Sequence, residues 1–251
     1  MSTSSTPVIT AKWERSAVAD AGDRTSLLVT IRSSSLPAHI SSPPLDVGFA
    51  LDRSGSMSGA PIELVKQAVR DCAHALRPED RVALVTYDDR IDVLYPLQPV
   101  SPSTIVDLRQ VLDGVDARGS TNLGDGWLTA CRELTTIAPN HNGHSGLRIR
   151  RSILLTDGLA NVGITSVDEL VTHAHSLRQR GVSTSAMGVG QHFDESLLSS
   201  MAEAGGGDFT FVNRPSEIPT FFAKELNRIQ KLPSLEPWYP SHCQSQWWAG
   251  S

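Results

Sequence analysis

The chain has 251 residues with 27 acidic and 22 basic side chains, so its formal net charge is −5 with histidine neutral. Hydrophobic residues make up 39% and charged residues 20% of the chain, which is the composition of a folded protein rather than a disordered one. The acidic excess argues against a nucleic-acid-binding surface, and no apolar run approaches the roughly 18 residues that a membrane-spanning helix needs.

Residues 1–44 predict a short β arm followed by a linker rich in Ser and Pro. Residues 25–32 (TSLLVTIR) have the composition of a strand, and residues 11–17 are a second candidate. Because a strand outside the main sheet has unpaired edges, we expect residues 25–32 to pack on the following domain or to pair with another chain.

Residues 45–231 alternate between strand and helix patterns, and residues 232–251 form an irregular tail rich in Pro, Ser and Trp. Apolar runs predict strands, and apolar residues at helical spacing predict helices between them. This alternation predicts an α/β, Rossmann-like domain: a doubly wound, mostly parallel six-stranded sheet with one antiparallel edge strand and helices on both faces. The predicted strands are residues 45–51, 81–87, 91–97 (the antiparallel edge), 150–156, 182–189 and 209–213.

Several polar residues and glycines predict where the later helices begin and end. Ser166 and Glu169 form a capping-box pattern, and Gly181 is placed to end the helix that they open. Asp194 can cap the next helix, and the glycines at 205–207 follow its end. A last helix is predicted over residues 218–230.

Three loops that follow or precede these elements are expected to meet at one edge of the sheet, because ligands of such folds bind at the carboxyl ends of the strands. Asp52, Ser54 and Ser56 follow the first strand of the domain, Thr121 precedes a helix, and Asp157 follows a later strand. Together they offer two carboxylates and three hydroxyls. A hard divalent cation such as Mg²⁺ takes oxygen ligands of this kind, and neutral hydroxyls leave it able to accept a further carboxylate from outside.

These segments resemble the metal-site loops of the von Willebrand factor A domain, with DRSGS at 52–56, GSTN at 119–122 and LLTDG at 154–158. The resemblance covers residues 45–231, and the chain looks like the bacterial branch that is similar to calcium-activated chloride channel regulators and inter-α-trypsin inhibitor heavy chains. It implies a metal ion-dependent adhesion site (MIDAS) that binds Mg²⁺, with Mn²⁺ or Ca²⁺ as alternatives. It further implies direct coordination by Ser54, Ser56 and Thr121, and coordination through water by Asp52 and Asp157.

Other residues near these loops are candidates for supporting roles. Asp125, one helical turn after Thr121, is either a hydrogen-bond acceptor that orients a metal ligand or an acid favoured by the helix dipole. The loops around the site are expected to contact the partner, and their candidate residues are Met57, Ser58, Gly59, Asp89, Asn122, Gly158 and Asn161.

Enzymatic chemistry is not expected. A haloacid-dehalogenase-type phosphoryl transfer would need a second Asp two residues after Asp52, where Ser54 stands. The G-x-S-x-G elbow of a serine hydrolase and the G-x-x-x-x-G-K-[ST] phosphate-binding loop are both absent from the sequence.

The sequence therefore predicts a metal-dependent module that binds a protein partner presenting an Asp or Glu carboxylate. The alternative is a structural or regulatory adaptor subunit of a bacterial ATPase or chelatase-like complex. The polar N-terminus is unlike a secretory signal, and the cysteines Cys72, Cys131 and Cys243 cannot form a disulfide framework, so we expect a soluble cytoplasmic protein. Bacterial relatives often continue into a β-rich region, so we expect a minimal or truncated relative.

Overall fold

The computed structural model describes residues 8–13, 27–32, 43–136, 148–157, 160–190, 193–218, 220–221 and 225. The chain divides into two compact units, one ending at Ser41 and the other beginning at Ser42. The last part of the predicted final helix and the Trp-rich tail lie outside the described residues.

The first unit contains an antiparallel hairpin of β1 (Val8–Trp13) and β2 (Leu27–Arg32). Its register places Val8 opposite Arg32 and Trp13 opposite Leu27. The predicted strand at 25–32 is therefore present, but the strand predicted at 11–17 lies earlier in the chain. β1 pairs with β2 along its whole length and so occupies one of its edges. The expectation that this strand also packs on the following domain or pairs with another chain stays a prediction.

The second unit is built on a six-stranded sheet with the strand order β5–β4–β3–β6–β7–β8, which confirms the predicted fold class. All neighbouring strands run parallel except β4 and β5, which form the antiparallel pair at one edge. The strands are β3 (Leu45–Asp52), β4 (Arg81–Tyr87), β5 (Ile91–Pro99), β6 (Ile149–Thr156), β7 (Val182–Val189) and β8 (Gly206–Val212).

Helices cover both faces of this sheet, as predicted. They are α1 (Ala60–Ala75), α2 (Pro102–Asp113), α3 (Leu123–Thr136), α4 (Val167–Gln179) and α5 (Glu195–Ala204). Residues 218, 220, 221 and 225 are also helical. Among the described residues, no helix combines the length and the apolar character needed to span a membrane.

Two hydrophobic cores result, one on each face of the sheet. Phe49 of β3 packs with Val65 of α1 and Leu108 of α2 in one core, and Trp127 of α3 packs with Leu198 of α5 in the other. Both faces of the central strands are therefore buried, which is why β3 is apolar along most of its length. The free thiols Cys72 and Cys131 lie in these cores.

The predicted helix caps are present. The Ser166 hydroxyl accepts a hydrogen bond from the Glu169 N–H at 3.4 Å, and the Asp194 carboxylate accepts one from the Leu197 N–H at 2.9 Å. Gly181, just after α4, has a φ of 82°, a conformation that favours glycine.

The last strand begins earlier than predicted. β8 starts at Gly206 rather than at residue 209, because the glycines after α5 also pair with β7. A Cβ on Gly207 would lie only 2.0 Å from the Thr184 carbonyl oxygen, so the close approach of the two strands requires glycine there. The triplet was correctly predicted to end the helix, but its role in the strand was not.

Candidate metal centre

The register of the central strands brings the first and third predicted loops together. Leu51 of β3 lies opposite Leu155 of β6, so the residues that follow, Asp52 and Thr156, end their strands at the same level of the sheet. The Ser56 hydroxyl donates a 2.8 Å hydrogen bond to the Asp157 carboxylate. This bond joins two loops whose residues are 101 positions apart in the chain.

The middle loop joins them through its backbone. The Gly55 N–H donates to the Gly119 carbonyl at 3.0 Å, and the Arg118 N–H donates to the Arg53 carbonyl at 2.7 Å. The segment that carries Thr121 is therefore fixed against the loop that carries Ser54 and Ser56. The structure brings the three predicted loops to one edge of the sheet.

Asp52 is fully buried at the base of this site. One carboxylate oxygen accepts from the Ser54 N–H at 2.8 Å, and the other accepts from the Thr156 hydroxyl at 2.5 Å. Burial raises the pKa of Asp52 to about 6, although these hydrogen bonds favour the ionised form and partly offset the effect. The negative charge of Asp157 adds to the increase. The site therefore holds an acid whose charge is disfavoured by the protein alone.

Ser54, Ser56 and Asp157 form a chain of polar contacts above Asp52. The hydroxyl oxygens of Ser54 and Ser56 are 3.1 Å apart, and Ser56 donates onward to Asp157. Burial raises the pKa of Asp157 above its ordinary value, although the Ser56 hydrogen bond opposes the shift. Ser56 itself is exposed, so this chain of oxygens is open to solvent at one end.

Thr121 is buried and held by residues that follow Asp157 between β6 and α4. Its N–H donates to the side-chain oxygen of Asn161 at 2.9 Å, and its carbonyl accepts from the N–H groups of Asn161 and Val162 at 3.2 Å each. Asn161, predicted as a partner contact, thus has a bracing role that the sequence pattern did not indicate. The sequence feature that could have indicated this role is the position of Asn161, four residues after the proposed ligand Asp157.

These five side chains fit a hard divalent cation. They supply oxygen donors only, and the two acids lie close enough for the charge of one to raise the pKa of the other. A cation between the carboxylates would favour their ionised forms. Within the described residues, no cluster of three or more His, Cys, Asp or Glu side chains offers a metal site of another type.

Four charged residues beside the site form a network that sequence reasoning missed. The buried Asp88 carboxylate accepts hydrogen bonds from Arg53 Nε at 3.0 Å and from Arg118 Nε at 2.8 Å, through the same oxygen. Arg53 also forms a short ion pair with Asp92. The only sequence signal was the arginine at position 53, between Asp52 and Ser54.

The remaining predicted contact residues differ in their exposure. Ser58, Gly59 and Asp89 are exposed on the surrounding loops. Met57 is fully buried in the core, so its prediction as a partner contact was wrong: its apolar side chain anchors the loop from inside. Gly158 lies outside the described residues.

Asp125 is exposed at the start of α3. Its carboxylate accepts a 2.9 Å hydrogen bond from the Asn122 side-chain amide, and its N–H donates to the Asn122 side-chain oxygen at 3.4 Å. These contacts brace the first turn of the helix that follows Thr121. They involve Asn122 rather than any of the five predicted ligands.

Comparison with known proteins places these features in a family. The model of the von Willebrand factor type A domain matches residues 46–224. Escherichia coli YfbK is 31% identical over 191 residues, covering 74% of this chain and 32% of that protein. A human inter-alpha-trypsin inhibitor heavy chain is 26% identical over 211 residues, covering 82% of this chain and 22% of that protein. The chain thus spans a third or less of the length of these relatives.

Solved structures show the same fold. A von Willebrand factor type A protein from Catenulispora acidiphila superposes with a TM-score of 0.68 at 20% identity, covering 92% of this chain and 51% of that one. Proximal thread matrix protein 1 from the mussel byssus, solved with a zinc-occupied MIDAS motif, has a TM-score of 0.58 at 26% identity. That comparison covers 74% of this chain and 46% of the mussel protein.

Proposed function

This chain belongs to the von Willebrand factor type A domain family, whose members are typically non-catalytic protein-binding modules, and on that premise we propose that it captures a carboxylate of a partner protein through a divalent cation. The ion proposed is Mg²⁺, with Mn²⁺ and Ca²⁺ as alternatives. Asp52, Ser54, Ser56, Thr121 and Asp157 are the proposed ligand set.

The hydrogen bond between Ser56 and Asp157 carries this proposal. It brings a hydroxyl of the first loop within 2.8 Å of the carboxylate of the third, whose charge acts on the buried Asp52. A polar turn with no ligand would not require a second acid from a strand end more than one hundred residues away. The mussel protein, in which a motif of this type holds zinc, supports metal binding by such a motif.

The protein groups have distinct tasks in this arrangement. The resemblance assigns direct coordination to the three hydroxyls and coordination through water to Asp52 and Asp157. The hydrogen bonds that Asp52 accepts from Ser54 and Thr156 fix the orientation of its carboxylate. A bound divalent cation would supply positive charge and a free coordination position for a carboxylate oxygen of the partner.

Isothermal titration of the protein with Mg²⁺ tests the site. Ser56→Ala removes an exposed hydroxyl at the proposed centre, and we expect about a tenfold or larger loss of affinity. Ser58→Ala removes a hydroxyl from an exposed neighbour in the same loop and should leave the affinity unchanged. Equal Mg²⁺ affinities of the two variants would contradict the assignment. Parallel titrations with Mn²⁺ and Ca²⁺ would rank the metals.

A pull-down with and without Mg²⁺, followed by identification of the bound protein, tests the partner. Capture that depends on Mg²⁺ and is lost with a chelator or with Ser56→Ala would support the proposal. Capture of an ATPase subunit whether or not Mg²⁺ is present would instead favour the adaptor alternative.

A further inference from the structure

Arg118 lies next to the candidate metal centre but takes no part in the proposed ligand set. It stands three residues before Thr121, and its N–H is bound to the carbonyl of Arg53, the residue between Asp52 and Ser54. Because a chain of three residues spans at most about 10 Å, the backbone of Arg118 lies within that distance of Thr121.

The guanidinium of Arg118 is held at its Nε by the carboxylate of Asp88. Asp88 is fully buried, accepts from Arg118 Nε at 2.8 Å, and accepts from the Arg90 N–H at 2.6 Å through its other oxygen. Because Asp88 already restricts the Arg118 side chain, less conformational entropy is lost when Arg118 binds a second group. Such preorganisation lowers the entropic cost of recognition.

The same guanidinium remains open to solvent. The Arg118 side chain is 56% exposed, whereas the side chain of Arg53, the other arginine on Asp88, is only 7% exposed. The nearest further acid, Asp92, is 3.8 Å from the terminal nitrogen of Arg118 and is already paired with Arg53. Of the two arginines on Asp88, only Arg118 can therefore donate hydrogen bonds to an incoming anion.

The charge balance of the rim permits a second acidic group. The two arginines of the network are matched by Asp88 and Asp92, and a bound dication would be matched by Asp52 and Asp157. The exposed Asp89, whose charge also acts on Arg118, is offset in this count by the exposed Arg90 of the same turn. An acidic partner would then meet no net negative charge at the rim. A guanidinium with free donors binds a carboxylate with defined geometry.

We propose that Arg118 is a second anion-binding group of this site, so that the favoured partner presents two neighbouring acidic residues, one for the cation and one for Arg118. This inference rests on the proposed function. Acidic side chains on alternate residues of an extended segment lie on one face, about 7 Å apart along the chain. This spacing falls within the limit of about 10 Å on the separation of the Arg118 and Thr121 backbones.

The test uses synthetic peptides and the full chain. With Mg²⁺ at saturation and low ionic strength, the protein is titrated with acetyl-Gly-Gly-Asp-Gly-Gly-amide, which has one carboxylate, and with acetyl-Gly-Asp-Gly-Asp-Gly-amide and acetyl-Gly-Asp-Asp-Gly-Gly-amide, which have two. We expect the better of the two-carboxylate peptides to bind about fivefold more tightly than the one-carboxylate peptide, as for a favourable partly exposed ion pair.

Arg118→Gln should remove this preference and leave the affinity for Mg²⁺ alone unchanged. Arg90→Gln is the matched control, since it removes an exposed charge from the same rim and should preserve the preference. A preference that persists in Arg118→Gln overturns the inference. If Arg118→Gln loses affinity for Mg²⁺ and for the one-carboxylate and two-carboxylate peptides alike, the inference is also overturned. Arg118 would then only stabilise the loop. Failure of the unaltered protein to bind Mg²⁺ removes the proposed function itself.

Discussion

Asp88 connects two of the three metal loops through one buried carboxylate. Its side chain binds Arg53 of the first loop and Arg118 of the second, and its carbonyl accepts the Asn122 N–H at 3.0 Å. Burial alone would raise the pKa of Asp88, but the hydrogen bonds from Arg118, the Arg90 N–H and Arg53 outweigh that effect and lower it. The folded protein therefore favours the charged form of this acid.

This direction predicts how stability depends on pH. A carboxyl group with a lowered pKa stabilises the folded state above its unfolded pKa of about 4, and the contribution is lost as the pH falls through the lower folded pKa. At pH 7, Asp88→Asn should lower the free energy of unfolding by about 2 kcal/mol, because buried hydrogen bonds to charged groups are lost. The difference from the unaltered protein should shrink below about pH 4.

Urea unfolding at several pH values would measure this difference. Asp89→Asn is the control, because it removes an exposed carboxylate from the same turn and should change stability little. A penalty for Asp88→Asn that stays constant down to pH 3 would mean that the arginine contacts do not depend on the charge of Asp88.

Residue-level prediction from the sequence reached furthest where the proposed ligands lie in one short segment, and their role as ligands stays a prediction. Asp52, Ser54 and Ser56 are recognisable because a tight loop places alternate residues on one side. The partners of Asp88 are Arg53 and Arg118, which lie 35 residues before it and 30 residues after it. No local sequence pattern links residues so far apart. Which acid pairs with which arginine is decided by strand order and register, and these are properties of the folded sheet.

At the scale of the elements, a buried ion pair ties the last helical segment to the sheet. Glu225 accepts a 2.8 Å hydrogen bond from the Ser185 hydroxyl of β7, and its carboxylate lies 3.7 Å from Arg151 Nε of β6. Both side chains are 3% exposed. Arg151 also donates to the Gly206 carbonyl of β8 at 3.2 Å, so this cluster spans three strands.

Removing the charge of Glu225 should therefore be costly. Glu225→Gln should lower the free energy of unfolding by about 3 kcal/mol, since it leaves the charge of Arg151 buried without its acidic partner. The double variant Glu225→Gln with Arg151→Met should recover part of that loss, because the uncompensated charge is removed as well.

Chemical denaturation of the two single variants, Glu225→Gln and Arg151→Met, and of the double variant gives the coupling between the two residues. If the double variant loses as much free energy of unfolding as the two single variants together, the two charges act independently. Mg²⁺ affinity provides a further control and should be unaffected in all three variants, because neither residue belongs to the proposed ligand set.

Element prediction from the sequence succeeded where periodicity was long and failed where pairing decided the outcome. The apolar run of β3 is a strong local signal, and the strand lies where it was predicted. The early start of β8 depends on its close contact with β7, and the position of β1 depends on its partner β2. Neither contact can be predicted from the local secondary-structure propensity of the residues.

For the whole molecule, cation binding should increase stability. A ligand that binds only the folded chain adds about 2.7 kcal/mol to the free energy of unfolding when its concentration is 100 times the dissociation constant. We therefore expect the melting temperature to rise with Mg²⁺ concentration and to return to its starting value when a chelator is added.

Differential scanning calorimetry with increasing MgCl₂ would measure this effect. Ser56→Ala should show a markedly smaller increase, and NaCl at matched ionic strength should not reproduce it. An increase of the same size in Ser56→Ala would indicate general salt stabilisation rather than binding at the proposed centre.

The separation of 101 positions between Ser56 and Asp157 also has a consequence for biosynthesis. A nascent polypeptide that ends before β6 has Asp52 but lacks the opposing acid, and the central position of the sheet beside β3 is still empty. Contacts so distant in sequence form late, because a long loop must close before they can. Cation capture would thus require that synthesis has passed β6 and that β6 has paired with β3, and shorter nascent chains would be unable to engage a partner.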